Sequence, residues 1–286
     1  MPMVAPETLR ILSLGAGVQS STLALMIERG EVEAVSCAIF SDVGAEPAAV
    51  YEWLDWLKGQ LSYPVHIVKE ADGLTAQIEK SVGPGGSRFA GAPFYAHTKA
   101  FRKYKGKMIQ ISESEGMLRR QCTKEFKIVP IERKIREILG VRKGKHIPKG
   151  TLVESLQGIT VDEIQRMKVN PSKWNSNVYP LVDLRMSRHD CLLWMERNGY
   201  PKPPRSACVY CPYRTNDEWR RLKADDPGGW TEAVRVDALI RSGVRGTTDP
   251  LYVHKTLKPL DEVDLSTDED RGQMTFLGEC DGMCNV

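Results

Sequence analysis

The chain has 286 residues, of which 41% are hydrophobic and 27% charged, and its formal net charge is +3. This composition is typical of a soluble globular protein and argues against a disordered chain. No run approaches the ~18 apolar residues of a membrane-spanning helix, so no membrane partner is expected, and the small net charge does not by itself indicate a nucleic-acid partner.

Strands and helices alternate in the first part of the chain. An apolar strand is predicted at residues 9–14, followed by a Gly15-Ala16-Gly17 turn and a helix at 20–28. A second strand at 35–40, a helix that begins at Pro47 and a third strand at 65–68 repeat the pattern. Such alternation predicts βαβ units, a doubly wound and mostly parallel α/β sheet, and ligands at the carboxyl ends of the strands.

The rest of the chain is less regular. Residues 83–107, rich in Gly, Pro and Lys, are predicted to form a long, mobile basic loop. Helices are predicted at 126–139, 187–198, 217–222 and 230–241, with a strand at 152–160. We expect residues 1–200 to form the α/β domain and residues 201–286 to form a cysteine-rich helical extension with a flexible tail.

The cysteines indicate thiol or metal chemistry. The chain has seven, an odd number, and its first twenty residues lack the apolar run of a secretion signal; both observations predict a cytoplasmic protein with reduced thiols. Cys208-Val-Tyr-Cys211 has a spacing compatible with zinc, an iron–sulfur cluster or a redox dithiol. Cys37 and Cys191 lie in apolar segments, where a small buried hydrophobe is the alternative interpretation.

The glycine turn after the first strand is a candidate phosphate site. Glycines let the backbone approach a ligand, and the start of the following helix, Ser20-Ser21-Thr22, presents free N–H groups. No Gly-Lys-Ser/Thr follows, so the turn is not a Walker A loop, and the third glycine of the dinucleotide fingerprint is absent. From these residues alone, a tight turn without a ligand is the alternative.

Three segments carry a family resemblance. Residues 13–22 resemble the PP-loop of the adenine nucleotide α-hydrolase superfamily, in the Gly-hydrophobic-Gln version of the phosphoadenosine phosphosulfate (PAPS) reductase family. Residues 40–47 are similar to that family's segment after the second strand, and residues 158–166 resemble a third family segment. The resemblance covers roughly residues 9–215 and implies an adenine-nucleotide-binding PP-loop domain.

The resemblance also implies which side chains meet the ligand. The residues expected at the nucleotide are Ser13, Gly15, Ala16, Gly17, Gln19, Ser20, Ser21, Asp42, Gly44, Gly158 and Thr160. The cations expected to neutralise phosphate or sulfate oxygens are Arg119, Arg120, Lys127, Arg166 and Arg214. Any one of these cations taken alone is better explained as an ordinary surface charge.

A cluster site is implied by residues 119–130, which resemble the cluster-binding segment of adenylylsulfate (APS) reductases. Those enzymes bind a [4Fe–4S] cluster through a Cys-Cys pair and a downstream Cys-x-x-Cys. Gln121 stands where the first cysteine would be, so the implied ligands are Cys122, Cys208 and Cys211. Cys191 is the leading candidate for the fourth ligand; a tail cysteine or no protein ligand are the alternatives, and zinc is the alternative metal.

The tail carries a second pair of thiols. Glu279-Cys280 resembles the Glu-Cys-Gly that carries the nucleophilic cysteine of sulfonucleotide reductases, and Cys284 follows four residues later. A catalytic pair, with Cys280 as nucleophile and Cys284 as resolving thiol, is therefore expected. The alternatives are an additional metal-binding pair or a tail without a role.

Three functions remain open at this point. The first is thiol-dependent reduction of an adenylyl sulfate, APS or PAPS, to sulfite, with a thioredoxin- or glutaredoxin-like reductant as partner. The second is an AMP-forming ATP pyrophosphatase that activates DNA, RNA or a small molecule for sulfur insertion, as DNA phosphorothioation proteins and tRNA thiolases do. The third is a zinc-bound, non-catalytic nucleotide-binding module.

Overall fold

The structure is a computed structural model that describes residues 8–83, 85–89, 91–247 and 249–267, with the backbone alone for residues 98–103 and 109–112. The strands are β1 (Leu9–Leu14), β2 (Cys37–Asp42), β3 (Val65–Lys69), β4 (Tyr95–Tyr104), β5 (Lys107–Met117), β6 (Val153–Gln157), β7 (Asn175–Val178) and β8 (Leu251–Tyr252). The α-helices are α1 (Val18–Glu28), α2 (Ala48–Gln60), α3 (Gly73–Ser81), α4 (Val129–Ile138), α5 (Pro180–Asp183), α6 (Arg188–Arg197), α7 (Asn216–Asp225) and α8 (Pro227–Ile240).

A parallel five-stranded sheet with the order β3-β2-β1-β6-β7 forms the centre of the molecule. The predicted α/β fold class with a mostly parallel sheet is confirmed. Successive strands extend outward from β1 in one direction through β2 and β3, whereas β6 and β7 lie on the other side of β1. The strand order therefore reverses between β1 and β6, and their carboxyl ends border the crevice where ligands of such sheets bind.

Helices cover both faces of the sheet. On one face, α1, α2 and α6 bury a cluster that includes Leu23, Leu57 and Met195. On the other face, Ile135 of α4 packs against Ile11 and other residues of the central strands. Strands that are covered on both faces have nearly continuous apolar sequences. The apolar run at residues 9–14 therefore predicted β1 with its observed bounds.

A second core cluster lies beyond the carboxyl edge of the sheet. It joins Ile78 of α3, Phe94, Trp219 of α7 and Val236 of α8, all of them nearly or fully buried. α3 packs against α8, and β8 pairs with the start of β4. Residues after 200 therefore complete a core that begins before residue 80.

The prediction of a loop at residues 83–107 is wrong from residue 95 onward. β4 and β5 form a long antiparallel hairpin, and Lys105 and Gly106 make its two-residue turn with φ of 47° and 80°. Two central residues with positive φ are the requirement of the tight turns that match strand twist. The Lys105-Gly106 pair meets this requirement. The strands were not predicted because the charged residues around this pair obscure the alternation of polar and apolar residues that is typical of a strand.

The helix predicted at residues 126–139 begins earlier and is irregular at first. Lys124–Ile128 form a π-type turn that continues into α4. Ser187 caps α6 as predicted, since its side chain accepts from the N–H of Asp190 and Asp190 bonds back to it. α3 and β7 were not predicted. Among the described residues, no helix combines the length and the apolar character of a membrane span.

Candidate nucleotide and thiol site

The glycine turn after β1 presents the first turn of α1 to the crevice. Ala16 is fully buried with φ of 56°, and the Gly15 N–H donates to Ser20 Oγ over 3.2 Å. Gly17 precedes α1, and no side chain caps the helix there. Uncapped N–H groups at a helix N-terminus carry partial positive charge and favour a phosphate group.

Gly158 locks this turn against the end of β6. A Cβ atom at this position would lie 2.7 Å from both the backbone N and the Cα of Ser20. Backbone atoms cannot swing aside as a flexible side chain does, so only glycine lets β6 end this close to α1. The resemblance had placed Gly158 at the nucleotide, and its contact with Ser20 supplies a physical reason for glycine there.

The loop after β2 is held together by Asp42. Its carboxylate accepts from the Gly44 N–H at 2.7 Å and from the Tyr51 hydroxyl at 2.8 Å, with Lys69 Nζ 3.7 Å away. Gly44 has φ of 75°, in the left-handed region that favours glycine. Asp42 thus shapes the loop that leads to Glu46.

A second segment crosses the glycine turn. A Cβ atom at Gly17 would lie 3.7 Å from Ser206 Cβ, so residues near 206 pass directly over the start of α1. Ser206 Oγ donates to Glu46 Oε2 over 3.2 Å, and Lys127 Nζ donates to Glu46 Oε1 over 3.4 Å. The Glu46 side chain is only 1% exposed. Burial works against the charge of Lys127, but Glu46 holds the pKa of Lys127 above its ordinary value.

Cys208 lies two residues after Ser206, in a turn held by hydrogen bonds to its backbone. The Val209 N–H donates to Ala45 O over 2.8 Å, and Arg214 donates to the carbonyls of Ala207 and Cys208. Burial raises the pKa of the Cys208 thiol well above its usual value, with Glu46 adding to the shift and Lys127 opposing it. Arg214 thus positions the cysteine turn.

Cys122 and Cys211 are neighbours of Cys208. The Cys211 N–H donates to Cys208 O over 2.9 Å, and Cys122 and Cys208 both pack against the second core cluster. Gln121, which replaces a cysteine of the resemblance, accepts from the Gly91 N–H over 3.2 Å. Its side chain is therefore tied to the segment before β4.

The described thiols alone do not make up a complete cluster site. In the described ranges, no group of three or more His, Cys, Asp or Glu side chains is gathered closely enough to hold a metal ion. The prediction of Cys191 as fourth ligand is wrong, because Cys191 is fully buried between α1 and α6 in the other core cluster. Cys280 and Cys284 lie outside the described residues.

Two of the predicted nucleotide contacts, Ser21 and Thr160, are fully buried. The Ser21 hydroxyl accepts from Trp53 Nε1 over 2.9 Å and is fully buried. Thr160 is also fully buried, and its hydroxyl has no hydrogen-bond partner among the described residues. Ser13 is a strand residue paired with β2 and β6, whereas Gln19 is partly exposed.

The five predicted anion-binding cations differ in their availability. Arg166 pairs with Glu163 at 2.6 Å, and Arg214 and Lys127 hold the contacts described above. Arg119 and Arg120 are exposed, and the Arg120 guanidinium lies over the Tyr213 ring. Arg119 and Arg120 can therefore bind an anion without breaking a buried contact.

Sequence reasoning missed Glu46 and Ser206. Glu46 belongs to the segment 40–47 that carried the resemblance. Its position among the apolar residues Val43, Ala45 and Pro47 could have indicated that its carboxylate is buried. Ser206 had no such signal, because its importance comes from a contact with Gly17 that spans most of the chain.

Thiol reactivity should separate the cysteines into two groups. Burial raises the pKa of Cys37 and raises that of Cys191 to about 12, so both remain protonated and inaccessible in the folded protein. We expect iodoacetamide at mildly alkaline pH to alkylate Cys122 and Cys211, which are partly exposed, and to spare the first pair until the protein unfolds. Peptide mass spectrometry over time measures this; alkylation of Cys191 as fast as Cys211 would contradict the packing of α6.

The comparisons with known proteins add a structural likeness. No protein-family model and no curated protein matches the sequence. Among solved structures, the chain is similar to a phosphoadenylyl-sulfate (PAPS) reductase from Candida auris, determined as a phosphate complex. The two are 14% identical with a TM-score of 0.38, over 70% of this chain and 78% of the other. At that level the likeness carries no inference about function.

Proposed function

We propose that this protein is an adenine-nucleotide-binding enzyme of the PAPS reductase type, which reduces an adenylyl sulfate to sulfite with thiols. One observation carries the proposal: a Cβ atom at Gly17, at the N-terminus of α1, would lie 3.7 Å from Ser206 Cβ, and Ser206 is two residues from Cys208. A phosphate bound by the N–H groups of α1 therefore lies beside a thiol-bearing turn. Nucleotide and sulfur chemistry would share one crevice.

Different groups of the chain would bind the phosphate and neutralise the anion. The first-turn N–H groups of α1 would bind a phosphate, and Gly158 keeps β6 close without blocking them. Lys127 stays paired with Glu46 and would hold the Ser206 segment beside the phosphate. Arg119 and Arg120, both exposed, would supply the positive charge that the phosphosulfate anion and the leaving phosphate need.

The reductive step is proposed for the tail thiols. The Cys280 thiolate attacks the sulfur of the adenylyl sulfate, the S–O bond to phosphate breaks, and the adenosine phosphate leaves with the bonding electrons. Cys284 then attacks the Cys280 sulfur, sulfite leaves, and a disulfide forms that an external dithiol protein reduces. The two thiols supply the two electrons that sulfite gains.

An iron–sulfur cluster remains part of the proposal only as a binding hypothesis. Cys122, Cys208 and Cys211 would supply three thiolates, and a tail cysteine or a non-protein group would supply the fourth. Iron, sulfide and zinc analysis of anaerobically purified protein tests this. No step above depends on it.

Product analysis tests the reaction. Release of sulfite and AMP from APS, or of sulfite and adenosine bisphosphate from PAPS, with loss of turnover in Cys280→Ser, is the expected result. Release of pyrophosphate from ATP instead would establish the sulfur-insertion alternative, which the replacement of a cluster cysteine by Gln121 favours. A zinc protein that binds an adenine nucleotide but converts none of APS, PAPS and ATP would establish the non-catalytic alternative.

Nucleotide binding should depend on Gly158. The Gly158→Ala variant adds a Cβ 2.7 Å from Ser20 backbone atoms, so the first turn of α1 must move and its N–H groups lose alignment with the phosphate. Because hydrogen bonds to charged groups contribute about 1.5–3 kcal/mol each, we expect at least about tenfold weaker binding of ATP, APS or PAPS. Isothermal titration calorimetry measures this.

Gly59→Ala is the matched control. A Cβ atom at Gly59 in α2 meets nothing within 4 Å, so nucleotide affinity should remain unchanged. Equal affinity in both variants, with both proteins folded by circular dichroism, would remove the glycine turn as the nucleotide site.

A further inference from the structure

We infer that the tip of the β4–β5 hairpin is a nucleic-acid-binding surface. We call residues 102–108 the basic tip. β4 and β5 have 10 and 11 residues, and β4 pairs with β8 only through Tyr95 and Ala96. From residue 97 onward, within the described part of the chain, β4 pairs with β5 alone. At about 3.4 Å per residue, the unsupported ribbon extends for about 25 Å.

Charge is unevenly distributed along this ribbon. Near its base, cations and anions oppose each other: His97 Nε2 lies 2.8 Å from Glu113 Oε1, and Lys99 pairs in register with Glu113. All four charged residues of the basic tip are cations, namely Arg102, Lys103, Lys105 and Lys107. No acidic residue occurs in the sequence between Glu79 and Glu113.

The end of the tip adds an aromatic ring. Tyr104 is 56% exposed and Met108 is 64% exposed, and Lys105 Nζ lies over the Tyr104 ring at 5.4 Å. Cations bind phosphates, and an exposed ring next to them can stack on a base. Among the described side chains of the tip, only Tyr104 and Met108 are apolar, which is a small area for insertion into a membrane surface.

The shape of the hairpin fits the same partner. A two-stranded β-ribbon has the width that the major groove of a duplex admits. The turn at Lys105 and Gly106 places Arg102 and Lys103 on one strand and Lys107 on the other, all close to the end of the ribbon. Binding by the basic tip is independent of the nucleotide chemistry proposed above.

The test compares two fourfold charge variants of the full chain. The tip variant carries Arg102→Gln, Lys103→Gln, Lys105→Gln and Lys107→Gln. The control variant carries Arg142→Gln, Lys143→Gln, Lys145→Gln and Lys149→Gln, which removes the same charge from another exposed segment. Fluorescence anisotropy with a labelled DNA duplex, and with one of its strands, is recorded over a range of salt concentrations.

We expect the tip variant to bind at least about tenfold more weakly than the unmodified protein, with the control variant within about twofold. The dependence of log Kd on log salt should flatten by about 0.9 for each duplex phosphate contact that is lost. Tyr104→Ser, which keeps every charge, should weaken binding to the single strand without changing that slope.

Two results would overturn the inference. Equal losses of DNA affinity in the tip and control variants would show that binding depends on net charge and not on the hairpin tip. Binding of the unmodified protein to phosphatidylserine-containing vesicles but to neither form of DNA would assign the tip to a membrane surface. Unchanged thermal unfolding of the tip variant establishes that its loss of binding is not a loss of fold.

Discussion

Lys127→Met is expected to destabilise the folded protein by about 3–5 kcal/mol, the range for a buried ion pair that loses one partner. The variant leaves the Glu46 carboxylate, 1% exposed, with the Ser206 hydroxyl but without its cation. Removal of the carboxylate should cost less, because the Lys127 side chain is 35% exposed and can recover water. Urea unfolding followed by circular dichroism measures the free energy of unfolding.

A double substitution separates charge from packing. Glu46→Gln on the Lys127→Met background removes the unpaired charge and keeps the shape, so it should restore most of the lost stability. Lys124→Met is the control, since Lys124 belongs to the same π-type turn and is exposed; its effect should stay within about 0.5 kcal/mol. Equal losses in the two lysine variants would show that Glu46 does not depend on Lys127.

Asp237→Ala should have an effect of similar size in the second core cluster. The Asp237 side chain is 1% exposed and pairs with Arg241. It accepts from the N–H groups of Val253 at 2.8 Å and Leu260 at 3.0 Å. The alanine variant leaves two buried N–H groups and a cation unpaired, so we expect a loss of about 3–4 kcal/mol.

Thermal and urea unfolding measure this loss, and Glu232→Ala provides the control. Glu232 lies on the same helix and pairs with Arg235 at the surface, where such pairs contribute about 0–1 kcal/mol. Asp237→Asn keeps one acceptor oxygen and should fall between the two. If Asp237→Ala behaved like Glu232→Ala, the segment after residue 250 would not depend on this carboxylate.

Local patterns in the sequence were enough for the elements around the glycine turn. An apolar run, two glycines and a helical segment were sufficient to predict β1 and α1. Ser187, the N-cap of a capping box, indicated the start of α6. These signals are local, because burial on both faces and helix capping act within a few residues. Periodicity could not reveal the hairpin, since the charged residues of β4 and β5 obscure the two-residue repeat of a strand.

The sequence by itself determined the class of fold and the positions of the glycine turn after β1 and of the cysteine-bearing turn at Cys208. Only the tertiary structure decided which of these segments meet: it placed Ser206 beside Gly17, buried Glu46 against Lys127, and put Cys191 in a different core cluster from Cys122 and Cys208. The physical reason is distance along the chain. These contacts join residues tens to almost two hundred positions apart, and packing rather than local propensity selects them.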